Sequence, residues 1–417
     1  MKNNITLDDL VLKDGWVIDP SQSLNGRFDV AVRDGRIVAV AQQLPPYKAK
    51  QTFAANDYLI CPGLIDLHVH VYEWVTNFGI PADDVGINAG VTTVVDQGSS
   101  SPFTFSGFKS KVVEKAQTDV RCFLLINHAA TQTIGNIESG LEDPQKVDIK
   151  PLIQLAKDNP QIIRGFKVHA DSGSISRWGM GVLKLAREVG DRTNLPLYVH
   201  TGELFPVVEA KRPNPETVVE NALSYMKPGD ILGHCYSCQP DGLMGTRTQV
   251  PAWLIAAIDK GILLDLGHGL KFSFDIARRM MAQGVFPHTI SSDAHGNFKS
   301  LHDDSTLTYS LCGGISKLMA LGLDLVDAIA TVTINPARVL QAEAEIGTLK
   351  VGSLADITVL DLVQGDCVFC DSLGKQLIAK EKLVPVWVVR SGRLIQPHRS
   401  LLRDLENQYS DIATLTA

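Results

Sequence analysis

The 417 residues, 45% hydrophobic and 20% charged, have the composition of a soluble globular protein large enough for a big barrel with an appended module, or for two to three domains. A net charge of −7 with no dense Lys/Arg run argues against a polyanion-binding surface, so nucleic acid is not an expected partner. No apolar run is long enough to span a bilayer and the first residues lack a secretory layout, so a cytoplasmic protein without membrane contact is expected.

The N-terminal stretch reads as short strands joined by turns. Apolar runs at 10–12 and 16–19 flank Asp14-Gly15, and runs at 28–32 and 36–40 flank Asp34-Gly35. Asp-Gly between alternating apolar runs predicts a hairpin at each place. The C-terminal stretch has the same character, with runs at 346–349, 355–360 and 384–390 and a turn at Ser391-Gly392. Two β-rich pieces at opposite ends of the chain predict one composite sandwich, residues 1–61 with 345–417, whose edges are hidden by mutual pairing.

Between them, residues 62–344 alternate short apolar runs with helix-length segments, the pattern of βα units around a parallel sheet. Eight strands are predicted, at 63–67, 91–96, 122–127, 162–168, 197–200, 231–234, 262–266 and 289–293, with helices at 182–189 and 274–283 among others. Eight strands close a (β/α)8 TIM barrel, so the fold class is α/β with a barrel and a sandwich.

Barrel enzymes keep their active sites at the C-terminal ends of the strands. There the first strand ends in His68-Val69-His70, the fourth carries Lys167, the fifth ends in His200, the sixth in His234 and the eighth in Asp293. Each alone reads as an ordinary hydrogen-bonded residue. An HxH pair reaches one ion only if its strand bends or bulges, because alternate residues point to opposite faces. Together, in barrel order and at one end, they point to metal.

Four histidines, an aspartate and a lysine exceed one tetrahedral shell and suit two divalent cations roughly 3.5–4 Å apart, with zinc favoured by imidazole donors. Such a pair needs a shared anion, which an ammonium is not. Burial and nearby cations depress a lysine pKa, so Lys167 as a neutral amine can add carbon dioxide and bridge as N6-carboxylysine.

The motif 62–70, Pro-Gly-Leu-Ile-Asp-Leu-His-Val-His, followed by Lys167, His200, His234 and Asp293, resembles the amidohydrolase superfamily. It is similar to the binuclear carboxylated-lysine branch, which includes dihydroorotases, hydantoinases, ureases and D-aminoacylases. The stretches 165–168 (Gly-Phe-Lys-Val), 266–269 (Leu-Gly-His-Gly) and 292–296 (Ser-Asp-Ala-His-Gly) look closer to a group of bacterial deacetylases acting on N-acetyl amino acids and acetyl esters of 2-hydroxy acids.

The resemblance implies a metal-bridging hydroxide that cleaves an amide or ester. His68, His70 and Asp293 would hold the more buried ion, His200 and His234 the second, Lys167 would bridge, and Asp293 would be the catalytic general base. It also implies a homo-oligomer acting on a small, anionic substrate. Tyr72, Asn127, Arg177, Trp178, His268 and His295 are the candidate substrate contacts, with Arg177 for a carboxylate.

Three other readings stand beside this one. A cyclic-amide hydrolase shares the site, although a dihydroorotase is expected to carry an arginine just after the HxH, where this chain has Val71-Tyr72-Glu73-Trp74. A mononuclear heterocycle deaminase would use Glu203, three residues after His200, as proton shuttle, but does not need Lys167. A catalytically dead scaffold has no reason to keep six metal-site residues. The pairs Cys235/Cys238 and Cys367/Cys370 are read as small, partly buried thiols rather than a four-thiolate zinc site.

Overall fold

The structure, a computed structural model, describes residues 8–44, 49–73, 75, 76, 78–126, 143–269, 271–296 and 310–397. Seven parallel strands form one curled sheet in chain order: Leu64–Val69, Val91–Gln97, Asp119–Leu125, Ile163–His169, Leu197–His200, Ile231–Gly233 and Leu263–Leu264. The first two are buried at every position, as expected for strands covered on both faces. Helices such as Lys150–Asp158, Gly181–Thr193 and Phe274–Met281 fill the connections. Gly181–Thr193 ends where Asn194 turns left-handed and returns its N–H to the Gly190 carbonyl.

The eighth segment, 289–294, is too irregular to be a full strand, yet it closes the ring. Thr289 bridges Asp265 of the seventh-strand segment and Ala294 bridges Val69 of the first strand, both in parallel. The amide of Asp293 donates to the His68 carbonyl at 2.8 Å, and that of His70 to the Ala294 carbonyl at 2.9 Å. Asp66 reinforces the seam, its carboxylate accepting from the amides of Ser292 (3.0 Å) and His68 (3.3 Å).

The other sheet is mixed and eight-stranded. Leu59–Pro62 pairs with Asp8–Asp19 on one side and Ile357–Cys370 on the other, so the two ends of the chain share one sheet. Their apolar faces enclose a core that includes Val17, Val30, Ile60, Ile357 and Val389. Asp34-Gly35 is the predicted hairpin, joining Leu24–Arg33 to Arg36–Ala41. Asp14-Gly15 is not a hairpin, which corrects the sequence reading. It is a bulge inside the continuous strand Asp8–Asp19, with the register shift between Leu12 and Gly15. Both residues of the Asp34-Gly35 pair have positive φ, whereas at the bulge Asp14 alone does. One left-handed residue bends a strand, and two reverse it.

The hairpin of Ile357–Cys370 and Gln376–Arg390 reaches over the barrel. Asp371 at its tip accepts the amide of Phe274, capping the helix Phe274–Met281, and Ser372 donates to the Phe272 carbonyl. Among the described residues no helix is long and apolar enough to cross a membrane.

Candidate active site

Five barrel segments deliver the predicted residues to one cavity of about 40 Å³, lined by His68, His70, Lys167, His200, His234 and Asp293 among others. The HxH strand does shift register at its end, between Asp66 and Val69, and brings the two imidazoles to 5.3 Å between ring centres. Nε2 of His68 lies 3.2 Å and Nε2 of His70 3.5 Å from the same Asp293 oxygen. The rings of His200 and His234 lie 4.6 Å apart.

Hydrogen bonds behind the rings decide which nitrogens face the cavity. Tyr198 donates to Asp265, so its oxygen accepts from Nδ1–H of His68 and leaves Nε2 bare. His234 gives Nδ1–H to the Gly267 carbonyl at 3.1 Å, with the same result. Ser99 holds Nδ1 of His70 at 3.0 Å. Burial drives His68, His200 and His234 towards the neutral form by pulling their pKa values down. The bare Nε2 of His68 beside the Asp293 carboxylate is an acceptor facing an acceptor, and a cation relieves that arrangement. The donor set therefore fits a divalent metal ion.

Lys167 is buried, with Nζ 3.5 Å from Nε2 of His68 and 4.1 Å from the centre of the Tyr198 ring. Burial lowers its pKa to about 7, against the pull of Asp293 and Asp265. Its stem passes so close to Gly98 that a Cβ there would stand 2.9 Å from Cγ of Lys167.

Two residues of the cluster sit in left-handed backbone, His234 at φ 61° and Asp293 at φ 54°. That conformation costs about 1–2 kcal/mol for a residue with a Cβ, and such strain gathers at functional sites. Gly267 (φ +51°) lets its loop pack on His234, since a Cβ would come within 2.7 Å of Nδ1.

The substrate candidates divide. His295 lines the cavity, its ring 5.8 Å from that of His70. Tyr72 does not: its hydroxyl donates to the Thr104 carbonyl and its ring packs on Phe108. Arg177 lies away from the cavity lining and gives Nη1 to the carbonyls of Gly173 and Pro206, while Trp178 packs against the core. His268 sits behind the site with Nε2 on the Ser310 carbonyl. A residue's place in a loop does not say which way its side chain turns, and these local carbonyls and apolar neighbours win. Asn127 lies outside the described residues. The carboxylate of Glu203 is held by Arg212 at 2.6 Å and is not part of the lining.

The lining also contains Phe78, Gln97, His169, Leu204 and Lys271. Of these, only His169 draws notice in the sequence, by its position two residues after Lys167. Lys271 reads there as one more loop lysine.

A barrel whose mouth gathers neutral imidazoles, a carboxylate and a buried lysine is the scaffold of a metal-dependent hydrolase. The model of the amidohydrolase family matches residues 59–395, and the chain belongs to that family, whose enzymes use divalent metal and act on carbon–nitrogen bonds. It is 29% identical over 371 residues to a deacetylase from Agrobacterium fabrum, covering 89% of this chain and 87% of the relative. A crystal structure of a dihydroorotase matches with a TM-score of 0.79 and 27% identity, over 93% of this chain and 99% of that one. A crystal structure of an adenine deaminase matches with a TM-score of 0.80 and 24% identity over 93% and 100%, which speaks for the fold alone.

Proposed function

We propose that this chain is a deacetylase that releases acetate from N-acetyl amino acids or acetyl esters of 2-hydroxy acids, with two zinc ions and Lys167 in carboxylated form. The observation that carries the reading is the place of Lys167, buried against His68 at 3.5 Å and shifted to a pKa of about 7 by burial. An ammonium there would add positive charge where cations are to be held. The neutral amine, adding carbon dioxide and shedding a proton, becomes an anion with two oxygen donors.

In this reading His68, His70 and Asp293 would hold one ion, His200 and His234 the other, and carboxylated Lys167 would be a ligand shared by both. When bound, the metal pair supplies a water nucleophile at neutral pH and polarises the scissile carbonyl. Asp293 accepts the proton of that water and passes it to the leaving nitrogen or oxygen. His295 faces the substrate from beside His70.

The Agrobacterium deacetylase supports the acyl-transfer reading over most of both chains. The dihydroorotase structure supports a second one, a cyclic-amide hydrolase on the same machinery. Against it stands the run Val71-Tyr72-Glu73-Trp74, which has no arginine for a ring carboxylate.

Elemental analysis of chelator-free protein, paired with acetate release from N-acetyl amino acids, tests the proposal. About two ions per chain and acetate release are expected. A Lys167→Ala protein that kept both metals and full turnover would overturn the bridge, and ammonia release from a one-metal protein would replace the reading with the deaminase.

A further inference from the structure

The cavity holds a second buried lysine that the roles above leave unused. Lys271 lies in the segment after the seventh barrel strand and is 5% exposed. Its Nζ stands 2.8 Å from Nε2 of His200 and 3.1 Å from the Gly202 carbonyl. The backbone beneath it is fixed. The Lys271 carbonyl accepts the amide of Cys238 at 2.9 Å, and Phe272 bridges Ser237 and accepts the amide of Ser372 at the hairpin tip.

Nothing anionic pairs with this lysine among the described residues. The nearby carboxylates are committed elsewhere, Asp293 of the same cavity facing His68 and His70. Asp171 accepts the amides of Ser174, Leu204 and Phe205, and Asp241 accepts the amide and hydroxyl of Ser172. With the His200 lone pair given to a metal ion, the enclosed ammonium is left with the carbonyls of Gly202 and Glu203 and keeps an uncompensated charge, which a bound anion offsets.

We infer that Lys271 is the specificity-determining residue that receives the substrate carboxylate. The inference rests on the deacetylase reading for the identity of the substrate. In an N-acetyl amino acid the carboxylate carbon is two bonds from the scissile nitrogen, and in an acetyl ester of a 2-hydroxy acid it is two bonds from the scissile oxygen. The group that receives it must therefore stand beside the ligand cluster. Lys271 does so, against His200 on the cavity wall. Arg177, the cation favoured by the sequence, spends Nη1 on the carbonyls of Gly173 and Pro206. Enclosure strengthens the resulting charge-assisted hydrogen bond.

The test separates binding from turnover. 4-Oxopentanoate has the shape of N-acetylglycine with a methylene in place of the scissile nitrogen, and 4-oxopentanamide is its neutral counterpart. Titration calorimetry on metal-loaded protein is expected to show the acid binding tighter than the amide by on the order of 100-fold. That preference should vanish in Lys271→Met, reappear in part in Lys271→Arg, and leave the metal content of both variants unchanged. A Lys271→Met protein that still prefers the acid overturns the inference. So does wild-type protein with no preference, or a variant whose metal content falls, which would make Lys271 a support for His200. Acetate release is scored separately, so failure of the deacetylase reading and failure of the lysine's role give different results.

Discussion

The Tyr198 hydroxyl stands 2.9 Å from Nδ1 of His68 while giving its own proton to Asp265 at 2.6 Å. This relay from carboxylate to phenol to imidazole fixes which His68 nitrogen is bare. Removing the hydroxyl in Tyr198→Phe leaves the ring's volume and frees the tautomer. Metal affinity is expected to fall about 10–100-fold, read by competition with a chromophoric chelator, with the fold retained by circular dichroism.

The Asp66 carboxylate serves two amides, that of His68 on its own strand and that of Ser292 across the barrel seam. Asp66→Ala strands both inside the protein. A loss of about 1–3 kcal/mol in unfolding free energy is expected, measured by urea denaturation of the metal-free protein. Unchanged stability would mean that the seam is held by the strand bonds alone.

Gly98 combines a φ of +85° with the close passage of the Lys167 stem. Gly98→Ala therefore costs backbone strain of about 1–2 kcal/mol and also displaces the lysine. Metal content should drop more than stability does. Elemental analysis beside a thermal melt distinguishes this from general destabilisation, which would lower both together.

His288 lies at the opposite end of the barrel from the site, beside Arg338, and burial with that positive charge holds its pKa below the ordinary imidazole value. A depressed histidine pKa means that the unfolded chain takes up the proton first. Its contribution to stability is thus intact above about pH 6.5 and is lost as the pH falls below that. His288→Gln is expected to shrink the drop in denaturation midpoint between about pH 7.5 and about pH 5. An unchanged drop would assign the acid sensitivity to other groups.

Much of the site could be read before the fold was seen, because its chemistry is concentrated in residue types that rarely crowd together without purpose. The HxH pair also carried its own condition, a bend in the strand, and the register shift between Asp66 and Val69 supplies it. Side-chain direction was the part the sequence concealed. Tyr72 and Arg177 sit in the right loops but turn to the carbonyls of Thr104, Gly173 and Pro206, whereas Lys271 turns inward. Long-range bonds such as that of Ser372 to Phe272 set this direction, and no local pattern records them. The same limit explains Asp14-Gly15, where the pairing of Asp8–Asp19 with three other strands decides between bulge and turn.

The irregular eighth segment has a consequence for how the protein comes into being. Ser292 and Asp66, joined across the seam, are 226 residues apart in sequence, and the Asp293 amide bonds the carbonyl of His68 itself. During synthesis the early histidines emerge long before the aspartate that completes their cluster. The pocket that could hold a metal ion is thus complete only once the eighth segment has closed the ring, and an ion bound there would act as a clasp on the closed barrel rather than a seed for an open one.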